Sequence, residues 1–187
     1  MTDKLGVKPG NVTVPALTFA GTFDGHMMTG DQRGHTHSGL HLTNYFTRNG
    51  APMSAGQLAL NQDAAGRLIG AGVNRAMTVR LLEQDSRSGV FKADVEIYGN
   101  SKTSTFFPFG TTINQAKDYI RDAWSDYCHF GTGAHGGKEA DIYRQMKAKF
   151  GLNWVGLAKI GTQRIWVGSA QSGSVVTAFP AVNNKFG

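Results

Sequence analysis

A chain of 187 residues that is 40% hydrophobic and 10% aromatic can fill one sizeable core, which excludes global disorder. Nineteen Lys and Arg against thirteen Asp and Glu give a net charge of +6, a balance that favours polyanions such as RNA through phosphate contact and counterion release. The single cysteine, Cys128, excludes an intrachain disulfide and a cysteine zinc site, and no stretch approaches the roughly 18 apolar residues of a membrane-spanning helix.

Residues 1–22 read as an extended lead-in with Pro9, Gly10 and Pro15. Asp3, Lys4 and Lys8 stand where a signal peptide would have its apolar run, so none is expected. Residues 23–187 then read as a single domain. Residues 23–50 hold four of the six histidines among glycines and threonines, which predicts loop and short irregular elements. A short helix is expected from Ser54, with Ala55, Leu58, Ala59 and Leu60. Met77, Val79 and Leu81 alternate with Thr78 and Arg80, which predicts a strand over 76–82, and Ser86-Arg87-Ser88-Gly89 turns the chain back. The clearest alternation follows over 90–98, with Phe91, Ala93, Val95 and Ile97 on one side and Lys92, Asp94 and Glu96 on the other.

Pro108 closes the next strand. Thr112 and Gln115 have capping-box spacing, and Ile113, Ala116, Ile120, Ala123, Trp124 and Tyr127 recur at helical spacing to about residue 128. Cys128 reads as a small packing residue near that helix's end. A glycine-rich link from Gly131 to Gly137 leads to a second amphipathic helix over 138–150, with Ile142, Met146 and Phe150 as its inner stripe. This segment fits a surface helix on a sheet, and also a lid, a docking arm or an inhibitor surface. The last strands are expected at 153–159, 163–170 and 174–180, with a tight turn at Ser172-Gly173. Strands and helices mix without a βαβ rhythm. The expected class is α+β, mainly antiparallel sheets flanked by a few helices.

The histidines suggest chemistry. Cleaving RNA without a metal takes a base for the ribose 2′-OH, an acid for the departing 5′ oxygen, and a cation for the charge that builds on phosphorus. Two imidazoles and an ammonium meet those needs. His26 and His41 are 15 residues apart, and Lys102 follows the Gly99-Asn100 break at a strand edge. The glycines near the histidines predict close approach by a substrate, and a site on loops predicts that alanine there leaves the fold intact. A different reading joins His35, His37 and His41, whose spacing can hold zinc with Asp31 nearby; the chain would then be a metal-dependent hydrolase. A third reading is a non-catalytic RNA-binding domain with Phe106, Phe107 and Trp166 as a stacking platform, although Phe106 and Phe107 also suit a core.

Four blocks resemble bacterial EndoU-type endoribonuclease toxins, the uridylate-specific family with a ribonuclease A-like site. His26-Met27-Met28-Thr29-Gly30-Asp31 looks like their first-histidine segment, and Gly39-Leu40-His41 is similar to the second. The run from Gly89 to Pro108 resembles their strand, turn and lysine block, including Ser104-Thr105-Phe106-Phe107-Pro108 before a helix. The run from Ser174 to Pro180 looks like the terminal strand that lines the uridine site. The resemblance is scattered over residues 23–181. It implies that His41 is the general base, His26 the general acid and Lys102 the stabiliser of the phosphorane. It further implies that Thr177 contacts base or phosphate and that Phe179 stacks on sugar or base. Tyrosine is frequent at the position of Phe179, so stacking is kept here without the hydroxyl. Ser104 and Thr105 both stand where the family has a substrate-binding serine. No metal and no cofactor is implied. The product would be a 2′,3′-cyclic phosphate, with RNA, such as transfer RNA, as the substrate. An acidic immunity protein would complement the basic charge. A secreted or delivered effector acting in the target-cell cytoplasm is the expected setting.

Overall fold

The computed structural model describes residues 12–33, 36–43, 47–48, 51–52, 67–68, 77–97, 99–133 and 138–182. The helix expected from Ser54 lies outside them. In chain order come helix α1 (Phe23–Met28), strands β1 (Asp31–Arg33) and β2 (Thr36–Ser38), and the short strands β3 (Thr47–Arg48), β4 (Ala51–Pro52) and β5 (Arg67–Leu68). Then follow β6 (Met77–Gln84), β7 (Phe91–Ile97), β8 (Asn100–Phe106), helix α2 (Ile113–Asp126) with a π-helical turn at Tyr127–Gly131, helix α3 (Lys138–Phe150), β9 (Trp154–Ile160), β10 (Gln163–Ser169) and β11 (Phe179–Pro180). The class is α+β with antiparallel sheets, as expected.

The larger sheet has the order β5-β6-β7-β8. Its register sets Val79 opposite Val95, Val95 opposite Lys102, Ala93 opposite Ser104 and Phe91 opposite Phe106, so these residues share a face. That face buries Val79, Phe91, Ala93, Val95 and Phe106 together with Leu40. The other face carries Arg80, Asp94 and Thr103, with an Arg80–Asp94 ion pair and a Thr103 Oγ1 hydrogen bond to Asp94 at 2.7 Å. The alternation expected for 90–98 is therefore the division between core and solvent.

A three-stranded sheet has the order β11-β10-β9, and β1-β2 and β3-β4 form two-stranded pairs. Helix α2 packs on the three-stranded sheet and buries Ala116, Ile120 and Ala123. Thr112 caps α2 as expected: its hydroxyl accepts from Gln115 N at 3.2 Å, and Gln115 Oε1 accepts from Thr112 N at 2.9 Å. Gly156 is required where α2 crosses β9, since a Cβ there would overlap the Ala123 carbonyl. The open edge of β9 is met by two carboxylates of α2. Leu157 N donates to Asp126 at 2.8 Å and Lys159 N to Asp122 at 2.9 Å, which blocks further strand pairing. The core between α2 and this sheet also takes Phe23, Met27, Leu42 and Phe107. Cys128 is buried, and burial pushes its thiol up, as suits a packing residue.

Three expectations need correction. Residues 23–28 are helical, so His26 stands on a helix rather than a loop. In α3 Met146 and Phe150 pack inward as expected, but they are joined by Ala140 and Tyr143, the latter 2% exposed, and Ile142 points outward at 51%. The tyrosine is preferred because its hydroxyl donates to the buried Asp126 at 2.6 Å while its ring meets Trp166 edge-on at 4.9 Å. The strand expected at 174–180 shrinks to Phe179–Pro180, and Ser172-Gly173 makes no tight turn. Val175 instead bridges Phe19 in parallel. The described part of the lead-in lies on this side too, with Leu17 and Phe19 against the core and Trp124 Nε1 donating to Pro15 O at 2.8 Å. Among the described residues, no helix is long and apolar enough to cross a membrane.

Candidate active site

The segments that bear the two histidines meet because the end of α1 takes hydrogen-bond donors from the returning chain. The last carbonyls of a helix have no partner inside it. Here the returning segment supplies the donors for Met27 O and adds a second one to His26 O, which also accepts from Gly30 N at 3.2 Å. Leu40 N donates to His26 O at 2.8 Å, His41 N to Met27 O at 2.8 Å and Leu42 N to Met27 O at 3.1 Å. His41 O in turn accepts from Phe107 N at 3.0 Å, which ties the segment to the end of β8. Leu40 and Leu42 are buried in different clusters, one on each sheet, with His41 between them.

The turn into this segment is left-handed at two successive residues, Gly39 with φ of 73° and Leu40 with φ of 60°. For a leucine that backbone costs on the order of 1 kcal/mol, offset here by burial of the side chain. Gly39 has a second reason to be glycine. A Cβ there would overlap the His26 carbonyl and stand 2.8 Å from His26 Nε2 and Cδ2. The glycine therefore makes room for the imidazole.

Both rings are buried, His26 at 6% and His41 at 7% exposure, and each is fixed through Nδ1. His26 Nδ1 lies 2.7 Å from Asp31 Oδ2. His41 Nδ1 lies 2.7 Å from the Thr105 carbonyl. A carbonyl can only accept, so His41 Nδ1 carries a proton and the lone pair of the neutral ring is on Nε2. Ser104 Oγ donates to Leu40 O at 2.9 Å and lies 3.2 Å from the same Nδ1. The ring of Phe179 stacks on His41, with centroids 5.3 Å apart and planes 25° from parallel.

Lys102, half-buried on β8, donates from Nζ to Gly39 O, the glycine that also packs against the His26 ring. Burial pushes its ammonium down to about 8. Thr177 Oγ1 stands 4.0 Å from Met27 Sδ, beside the helix of His26. Thus His26, His41, Lys102, Ser104 and Phe179 are linked by direct contacts or through Gly39, and Thr177 adjoins them through the buried Met27. Thr105 takes part through its carbonyl, and strand alternation puts its side chain on the face opposite Lys102 and Ser104.

Asp31 has a role that the sequence does not assign, although it stands both in the first-histidine segment and beside the possible zinc set. A carboxylate five residues after a histidine, across a helix end, was the available signal. Of the zinc set, His35 lies outside the described residues. Among the described residues no three His, Cys, Asp or Glu are grouped to hold a metal. Phe106 and Phe107 are fully buried in two different clusters, so they are core and not a stacking platform. Comparison with protein-family models, with curated proteins and with solved structures finds no match for the chain.

Proposed function

We propose that the chain is a metal-independent endoribonuclease of the EndoU type. It cleaves RNA by 2′-OH transesterification at or near uridylates, and it serves as a delivered toxin domain neutralised by an acidic immunity protein. The observation that carries the nuclease reading is the contrast between the two Nδ1 partners. His26 is held by a carboxylate, the partner suited to a charged ring. His41 is held by a carbonyl, the partner suited to a neutral ring with its lone pair on Nε2. One imidazole is thus arranged to give a proton and the other to take one. The toxin setting rests on the sequence blocks alone.

The steps follow from these contacts. His41 Nε2 takes the proton of the ribose 2′-OH. The 2′ oxygen attacks phosphorus, and the phosphorane's charge is stabilised by the Lys102 ammonium. The bond to the 5′ oxygen breaks as His26 delivers a proton to it. The products are a 2′,3′-cyclic phosphate and a 5′-hydroxyl. Phe179 supports His41 from one side and stacks on the nucleotide, and Asp31 and the Thr105 carbonyl hold the two rings in their roles. Incubation with RNA in EDTA, followed by end-group analysis, is expected to give 2′,3′-cyclic phosphate and 5′-hydroxyl ends. Ends bearing 5′-phosphate, or activity lost in EDTA, would count against the reading.

The Lys102 ammonium gives the pH profile a signature. Charged below about 8, it loses its proton as pH rises through that value, and stabilisation of the phosphorane goes with it. A single imidazolium acid gives a slope of about −1 in log kcat/KM on the alkaline side. Loss of a second proton from Lys102 steepens this to about −2. Lys102→Arg, charged throughout, is expected to be slower and to keep the shallower slope. An unchanged slope between the two proteins would separate Lys102 from the chemistry.

A further inference from the structure

The loop that brings Thr177 and Phe179 to the site is held by a side chain where a strand ladder was expected. Gln171 Oε1 accepts from Val176 N at 3.3 Å and from Thr177 N at 3.2 Å. Ser169 Oγ has one proton, directed to Thr177 O at 2.7 Å, with Gln171 Oε1 at 3.0 Å. Both main-chain polar groups of Thr177 are therefore engaged from inside the loop. Gln171 is itself clamped, its N–H donating to Ser169 Oγ at 3.1 Å and its carbonyl accepting from Trp154 Nε1 at 3.0 Å. Ser169 and Trp154 belong to paired strands and are almost fully buried, so the anchor is firm.

We infer that Gln171 is a positioning residue that sets which nucleotide the site accepts at the scissile position. The inference rests on the ribonuclease reading. With the backbone of Thr177 fixed, the loop presents the Thr177 hydroxyl and the Phe179 ring in one arrangement. Thr177 lies beside Met27, the neighbour of His26, and Phe179 stacks on His41. A base held by these two groups is registered against both imidazoles at once. If the acceptor at Gln171 is lost, two backbone N–H groups lose their partner, the loop relaxes, and that register blurs. Discrimination between bases depends on fixed hydrogen-bonding groups, so it falls before cleavage itself is abolished.

The test compares kcat/KM for uridylyl-adenosine and cytidylyl-adenosine. In Gln171→Met the ratio between them is expected to move toward one by about tenfold, the size of one lost hydrogen bond. Gln171→Glu keeps an oxygen for both N–H groups and is expected to retain the wild-type ratio. Ser169→Ala, which frees the Thr177 carbonyl, is expected to lower the ratio without emptying the core. A purely structural role scales both substrates by the same active fraction and leaves the ratio alone, and that result in Gln171→Met and Ser169→Ala would overturn the inference. A wild type that cleaves both substrates equally, or a Gln171→Glu variant that loses the ratio, would overturn it too. A wild type that cleaves neither would instead remove the ribonuclease reading on which it rests.

Discussion

His26→Ala is expected to lose about a thousandfold in kcat on RNA and to recover most of it when the leaving group is 4-nitrophenolate. His41→Ala is expected to lose a similar factor and to recover on neither substrate. The difference follows from what each proton does. A 5′ ribose alkoxide is a poor leaving group and needs protonation as it departs, so the acid matters. Nitrophenolate departs without a proton, so the acid becomes dispensable while removal of the 2′ proton remains as hard as before. The assignment comes from the Nδ1 partners, Asp31 for His26 and the Thr105 carbonyl for His41. Recovery by His41→Ala in place of His26→Ala would exchange the two roles. Recovery by neither would remove His26 as the acid. The variants also carry a stability cost that a loop site would not. Both rings are buried, so truncation leaves a small void and, in His41→Ala, an unpaired Thr105 carbonyl, about 1–3 kcal/mol, while Asp31, 44% exposed, is met by water. Melting temperatures of both variants are the control that separates this cost from lost chemistry.

Elements set by local periodicity were legible in the sequence. The alternation from Phe91 to Val95 is a two-residue pattern, and any sheet with one face buried enforces it. Thr112 and Gln115 form their capping box within four consecutive residues, so no tertiary information was needed. The convergence of His26, His41 and Lys102 was legible only through family resemblance, because nothing local says that residues 26 and 41 meet. What joins their segments is the set of donors that α1's terminal carbonyls take from Leu40, His41 and Leu42. A helix of six residues is too short to show a period, so the element bearing His26 was missed. Tyr143 displaced Ile142 from the inner stripe because a buried carboxylate, Asp126, needed a donor from 17 residues away. The strand expected at 174–180 failed for a related reason: Gln171 takes the N–H groups of Val176 and Thr177, one of which a ladder with β10 would have used. One distinction lay within reach. Ser104 is two residues from Lys102 along a strand and Thr105 is three, so alternation alone assigns Ser104 to the side of Lys102.

RNA carrying 2′-deoxyuridine at the scissile position is expected to bind and not to be cut. The nucleophile in the proposed reaction is the substrate's own 2′ oxygen, which the deoxy strand lacks. The rate at that bond should fall to background even over days. In the proposed complex binding does not need the hydroxyl, since Phe179 would stack on sugar or base and the net charge of +6 would attract phosphates. The deoxy substrate should therefore compete with RNA at concentrations near KM, and its affinity should weaken steeply with added salt. The two halves of this result belong together. Loss of cleavage alone could reflect loss of binding, whereas an intact competitor that is never cleaved isolates the missing nucleophile. Cleavage that persists on the deoxy strand would mean that water attacks phosphorus, the chemistry of a metal-dependent hydrolase. It would then be the His35, His37 and His41 set, with its own sensitivity to chelators, that has to be tested by substitution. An inert deoxy strand that competes well places the attacking oxygen on the RNA and leaves His41 Nε2, with its Nδ1 proton committed to the Thr105 carbonyl, as the group to receive the 2′ proton.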